Sequence, residues 1–218
     1  MSLLQSLAQR WRKAPEPDET RWIVLDVESS GLDPHSDRLL AMAAIAVHTN
    51  GHTARIALGD SFEVVLRQQV ELADKANILL HGIGVGVQRT GVEPALALGE
   101  FERFIGHSPL IAFHAAFDQT LILGAFDAVQ RRRPDNRWLD LEPLAAVLHP
   151  KARARSLDEW MAELRITCAV RHQAAADTLA TAELLLTLWP ALRRELGGTV
   201  RFQQACRLAA QRRWMPTA

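Results

Sequence analysis

Apolar and polar positions change rhythm twice along the chain. Between Met1 and Lys13, Leu4, Leu7 and Trp11 fall on one helical face, with Arg10, Arg12 and Lys13 at the end, before Pro15 and Pro17 break the pattern. A short appendage helix and a linker are predicted there. From Trp22 the pattern turns to strand-like runs at Trp22 to Val27, Leu39 to His48, His52 to Leu58 and Phe62 to Leu66, separated by Gly31, Asp33, Pro34, Asn50, Gly51, Gly59 and Asp60. The short links predict antiparallel neighbours. After a loop, a helical stretch from Pro94 to Ile105, a strand at Leu110 to Phe113, a helix from about Phe117 to Arg131 and a strand near Trp138 to Leu141 alternate. That alternation predicts parallel crossovers. Helices close the chain at Glu142 to Leu148, after the capping-box pattern Ser156, Leu157, Asp158, Glu159, from Ala174 to Glu195, and from Val200 to Arg212. The expected fold is α/β, a mixed sheet covered by helices. Residues 1–20 are read as appendage and linker, 21–197 as the main domain, and 198–218 as a C-terminal helix packed on it.

Composition narrows the function classes. With 218 residues, 48% hydrophobic and 23% charged, the chain is expected to form one globular domain rather than a disordered or fibrous protein. A chain this long buries roughly 70% of the surface its unfolded form exposes, so its core needs no disulfide or metal staple. The two cysteines, Cys168 and Cys206, fit a reducing compartment and cannot build a four-cysteine zinc cage. No uncharged apolar run reaches membrane-spanning length, since the leucine-rich stretch from Leu179 stops at Pro190 and Arg193. A soluble, cytoplasmic protein is expected.

The 25 basic and 25 acidic residues cancel, so a nucleic-acid partner would need a local patch. Of the basic residues, 22 are Arg, clustered at Arg131, Arg132, Arg133 and at Lys151, Arg153, Arg155. Arginine forks suit phosphates. Such runs are also common as plain solvated surface.

Three segments offer chemistry. Asp26 and Glu28 end the first apolar strand and share a face, because side chains alternate along a strand. Close carboxylates repel unless one is protonated or a cation lies between them, and hard divalent cations take oxygen ligands. The small-residue turn Ser29, Ser30, Gly31 follows, where a ligand can approach the backbone. Asp118 falls near the first turn of a helix after the Leu110 strand, where an acid also favours the helix dipole. His172 and Asp177 flank the alanines that open the longest helix. Cys168 and His172 have a metal-like spacing, but no second cysteine pair completes a zinc site. The stretch from His81 to Gly86 lacks the spacing of a dinucleotide fingerprint.

In this order the three segments resemble the exonuclease motifs of the DEDD superfamily, histidine subclass, which includes the proofreading epsilon subunit of bacterial DNA polymerase III, ribonuclease T and oligoribonuclease. DVESSGL carries Asp26 and Glu28, HAAFD carries Asp118, and HQAAAD carries His172 and Asp177. The stretch HPKARARSLDEWMAEL, from His149 to Leu164, is similar to the epsilon segment before the third motif. The resemblance covers roughly Arg21 to Leu196. It implies a ribonuclease H-like fold with a mixed five-stranded sheet, three antiparallel strands followed by parallel βα crossovers.

The resemblance also implies that Asp26, Glu28, Asp118 and Asp177 bind two Mg²⁺ or Mn²⁺ ions, with His172 as general base. Ser30, Gly31, Leu32, His81 and Phe117 would contact the terminal nucleotides. A sister subclass uses tyrosine in place of the histidine, and the chain contains no Tyr. Two motifs depart from the family pattern: Ala115 stands where Asn is common, and Ser29 and Ser30 where Thr is. Neither removes an acid.

The expected activity is 3′-to-5′ hydrolysis of single-stranded or frayed DNA ends, releasing nucleoside monophosphates. The alternatives are an exoribonuclease trimming RNA or short oligonucleotides, and a non-catalytic module that binds 3′ ends or a polymerase. Four acids with a histidine exceed the pair a glycosidase uses. A DNA polymerase subunit is a further possible partner. The short stretch after the last helix favours a free-standing enzyme slightly over a polymerase subunit.

Overall fold

The computed structural model describes residues 18–69 and 75–214, so the helix predicted between Met1 and Lys13 lies outside the described residues. Five strands form one sheet: β1 (Arg21–Ser29), β2 (Leu39–Thr49), β3 (Ala54–Val65), β4 (Leu110–Ala112) and β5 (Trp138–Asp140), in the order β3-β2-β1-β4-β5. The pairs β1–β2 and β2–β3 are antiparallel, while β1–β4 and β4–β5 are parallel. This is the mixed sheet that the strand and helix alternation implied. Its helices are α1 (Lys75–His81), α2 (Val85–Thr90), α3 (Pro94–Ile105), α4 (Ala115–Ala128), α5 (Leu141–Leu148), α6 (Leu157–Leu164), α7 (Ala174–Glu195) and α8 (Phe202–Ala209), followed by a 3₁₀ turn (Ala210–Trp214).

β1 lies at the centre and is buried on both faces. Trp22 and Val24 face a core shared with α5 to α8, whereas Ile23, Leu25 and Val27 face one shared with α3 and α4. Trp22 packs its ring 5.1 Å from those of Trp189 on α7 and Phe202 on α8. α8 is thereby anchored in the first core.

Local chemistry sets several boundaries. Pro94 opens α3 where a missing N–H costs nothing, and Glu93 accepts from Leu96 N–H at 3.0 Å. Ser156 and Glu159 form the reciprocal capping box of α6. Pro190 does not end α7: it is exposed, while Leu188, Trp189 and Leu192 hold the helix to the core.

The structure differs from the pattern reading in two places. The runs His52 to Leu58 and Phe62 to Leu66 join into one strand, because Gly59 and Asp60 form a bulge instead of a turn. Ile45 pairs with Ser61 while Ala46 pairs with Ala57. The bulge delivers the Asp60 carboxylate to Arg21 Nη2 at 2.7 Å, Arg21 Nε at 2.8 Å and His48 Nε2 at 2.9 Å. The stretch read as a loop before Pro94 contains α1 and α2. Among the described residues no helix is long and apolar enough to cross a membrane.

Candidate active site

Strand geometry places the first two acids. Asp26 and Glu28 continue the face of Trp22 and Val24, the face covered by α7. Asp177, in the first turn of α7, comes down onto them. Carboxylate oxygens of Asp26, Glu28 and Asp177 lie within 4.8 Å of one another.

Asp118 arrives from the other side of the sheet. The N–H of Ile23 points to the β4 edge, where it donates to Pro109 O at 2.9 Å. Val27 turns its N–H to the same edge, but β4 ends at Ala112, and there the Val27 N–H works against the rise that burial causes in the Asp118 carboxyl. One acid of α4 thus lies beside the trio.

So much negative charge in one place is unfavourable when ionised. Burial, then repulsion from Asp118, Asp177 and Glu28, pushes the Asp26 carboxyl well above the usual range, with Arg171 opposing. Burial also raises Asp118 well above it, reinforced by Asp140 and Glu28. Glu28 is pushed up to about 7 by burial and by Asp177. All the donors are hard oxygens, and a cation would relieve their repulsion, so the group fits a divalent metal ion.

Residues 23–185 match the family described as exonuclease, of the RNase T type. The chain belongs to the exonuclease family. It is a DEDD-type member of the epsilon and ribonuclease T group. It is 32% identical over 179 residues to a DNA polymerase III subunit epsilon-like protein of Rhodobacter capsulatus, covering 81% of this chain and 25% of that one. It is 28% identical to a PolC-type DNA polymerase III of Oceanobacillus iheyensis over 78% of this chain and 11% of the polymerase. The chain therefore spans a quarter or less of these relatives.

Solved structures agree in fold. Exonuclease I superposes with a TM-score of 0.68 at 16% identity, over 86% of this chain and 42% of that one. E. coli exonuclease I in complex with a dA16 oligonucleotide gives 0.68 at 18% identity, over 80% and 42%. Cell-death related nuclease 4 gives 0.68 at 12% identity, over 78% and 63%.

In this exonuclease-family chain, His172 stands at the rim of the acid group. Its backbone is left-handed, with φ of 60°, and its N–H donates to Asp177 Oδ2 at 3.0 Å. The half-buried imidazole makes no hydrogen bond among the described residues. Cys168 lies against Asp177, its Sγ 3.6 Å from Oδ1, and does not pair with His172 in a metal group.

The five residues expected to meet nucleotides occupy different settings. Ser30 Oγ donates to Asp37 Oδ1 at 2.8 Å and accepts from Arg38 N–H at 2.9 Å, so it shapes the turn. Gly31 packs so tightly on the Asp37 carboxylate that a Cβ would collide with it. Leu32 is 91% exposed on the same turn. Phe117 is half-buried against the second core. His81 is buried, and its Nδ1 accepts from Ile83 N–H at 3.0 Å. Asn77 of α1 donates to Ser30 O, tying α1 to the turn after β1.

The basic clusters separate. Arg131 pairs with Glu102 at 2.7 Å, Arg132 with Asp135 at 3.1 Å and Arg133 with Asp127, so that cluster's charge is met within the fold. Lys151 and Arg153 are more open.

Three contributors escape the motif reading. Asp140 at the end of β5 accepts from His114 N–H at 3.0 Å and holds the left-handed residue that starts α4. Asp37 organises the turn after β1. Arg171 inserts its guanidinium among the acids, pairing with Asp177 and with Asp158. The position of Asp140 before a helix was a legible N-cap signal. Nothing local marked Arg171.

Proposed function

We propose that this chain is a metal-dependent 3′-to-5′ exonuclease that removes nucleoside monophosphates from the 3′ ends of single-stranded DNA. The carrying observation is the gathering of Asp26, Glu28 and Asp177 within 4.8 Å. Buried Asp118 lies beside them. Asp26, Glu28 and Asp177 would hold one divalent ion, and Asp26 with Asp118 a second. When bound, such ions activate water and stabilise the attacking and leaving oxygens of a phosphodiester displacement.

The chain's own groups supply the rest. His172 takes the proton of the attacking water on a ring nitrogen that makes no hydrogen bond among the described residues, and its backbone tie to Asp177 holds that ring at the edge of the acids. As the water oxygen adds to phosphorus, the bond to the penultimate 3′-oxygen breaks and the terminal nucleotide leaves as its 5′-monophosphate. Exposed Leu32 and the edge of Phe117 offer apolar surface to the terminal bases. Ser30, Gly31 and His81 shape the wall beside them.

DNA is favoured over RNA because the relatives are DNA polymerase III proteins and one fold neighbour is described with a DNA oligonucleotide. Those relatives also support action beside a DNA polymerase. Equal amounts of 3′-tailed DNA and RNA, labelled at the 5′ end and digested together in Mg²⁺ or Mn²⁺, test the reading. Stepwise shortening of the DNA, lost on chelation and in Asp26→Asn, is expected. Equal cleavage of both tails would remove the DNA preference, and undiminished cleavage by Asp26→Asn would remove the site.

A further inference from the structure

The acid pocket already contains a cation of its own. Arg171 Nη1 is buried and pairs with Asp177 Oδ1, while Arg171 Nε donates to Asp158 Oδ1 at 2.5 Å on α6. The other oxygen of Asp177 is engaged by His172 N–H. Arg171 thus covers the oxygen of Asp177 that remains for a ligand, and it does so inside the group whose oxygens converge within 4.8 Å. A guanidinium and a divalent ion compete for that oxygen, since both are positive and repel each other at so short a range.

We propose that Arg171 is a displaceable counter-ion that sets the metal affinity of the acid site: it neutralises the pocket before loading, and its Nη1 must leave Asp177 for a divalent ion to bind there. The inference rests on the nuclease reading of the site. Asp158 makes the exchange short. Its side chain is 59% exposed at the outer edge, so Arg171 can keep its Nε contact there while the Nη end swings away from Asp177. Arg171 also directly precedes His172, so the residue that yields to metal and the residue assigned as base share one short segment.

Calorimetric titration of the whole chain with Mn²⁺, wild type against Arg171→Gln, tests this without any substrate. Arg171→Gln is expected to bind Mn²⁺ about five- to tenfold more tightly, as loss of a partly buried competing ion pair implies. Its metal-free form is expected to melt lower. In wild-type protein, the Arg171 Nη protons are expected to be held in slow rotation by Asp177 and released at saturating Mg²⁺, an NMR readout that stands even if the variant folds poorly. Equal or weaker Mn²⁺ binding by a folded Arg171→Gln, or Nη signals unchanged at saturation, would overturn the counter-ion role and leave the nuclease reading in place. Wild-type protein that binds no Mn²⁺ would overturn both.

Discussion

The N–H of His172 reaches Asp177 Oδ2 at 3.0 Å from a backbone held at φ of 60°. The main chain of one residue therefore positions an acid, while its ring makes no hydrogen bond among the described residues. These two roles separate on substitution. His172→Ala retains the N–H, so we expect a melting temperature within a few degrees of wild type and a single-turnover rate about 10²–10⁴-fold lower, the usual contribution of a general base. Circular dichroism melts and rapid-quench digestion of tailed DNA check the two halves.

Asp118 matters to charge and to the main chain, because the Val27 N–H beyond the end of β4 favours its carboxylate against burial. Asp118→Asn keeps an acceptor and removes a repelled charge, so the metal-free protein should melt no lower than wild type while nuclease turnover falls at least ~100-fold. Asp118→Ala removes the polar group that the Val27 N–H favours and should cost roughly 1–3 kcal/mol, visible in urea unfolding. Equal stability of the two variants would remove the structural role.

Metal-free stability should fall as pH rises through the Glu28 transition. Burial raises this carboxyl from 4.5 to about 7 in the folded protein. A raised folded pKa means that the native state holds the proton more firmly, so its contribution is full below about 4.5 and is lost as pH climbs to about 7. Glu28→Gln should flatten that limb of the melting-temperature profile. Saturating Mg²⁺ should flatten it too, because the ion replaces the proton.

Asp60 acts in the opposite direction. Arg21 and then His48 hold its carboxyl down to about 2, against the modest cost of burial. Its contribution is present above the ordinary 3.8 and lost as pH falls toward 2. The pair is partly exposed, so roughly 1 kcal/mol after solvent screening is expected. Asp60→Asn should lower wild-type stability at pH 6 and converge with it near pH 2, read by urea unfolding at both values.

Gly91 faces the backbone of the segment after β3. A Cβ there would lie 2.7 Å from Val65 O, Leu66 C and Arg67 N, with no flexible side chain to give way. Gly91→Ala should destabilise the protein by about 1–3 kcal/mol, as overpacking does. Unchanged urea midpoints would show that this crossing can widen.

Much of the architecture was written locally. Alternation put Asp26 and Glu28 on one face of a strand, Ser156 and Glu159 announced the start of α6, and Pro94 marked that of α3, since each signal depends only on neighbours a few residues away. Ordered motifs also pointed to the acids that would converge. Gly59 and Asp60 misled because the same residue types build a turn or a bulge, and only pairing with β2 selects between them.

What tertiary structure alone decided is which charges meet. Asp26 and Asp177 are far apart in sequence, and they become neighbours because α7 crosses the central strand of the sheet. The three arginines from Arg131 to Arg133 look like a phosphate-binding run until folding supplies Glu102, Asp135 and Asp127. Arg171 looks like a surface residue until the acids gather around it. Periodicity and caps record how each segment buries itself; electrostatic partners depend on distances between segments, which strand order and register set.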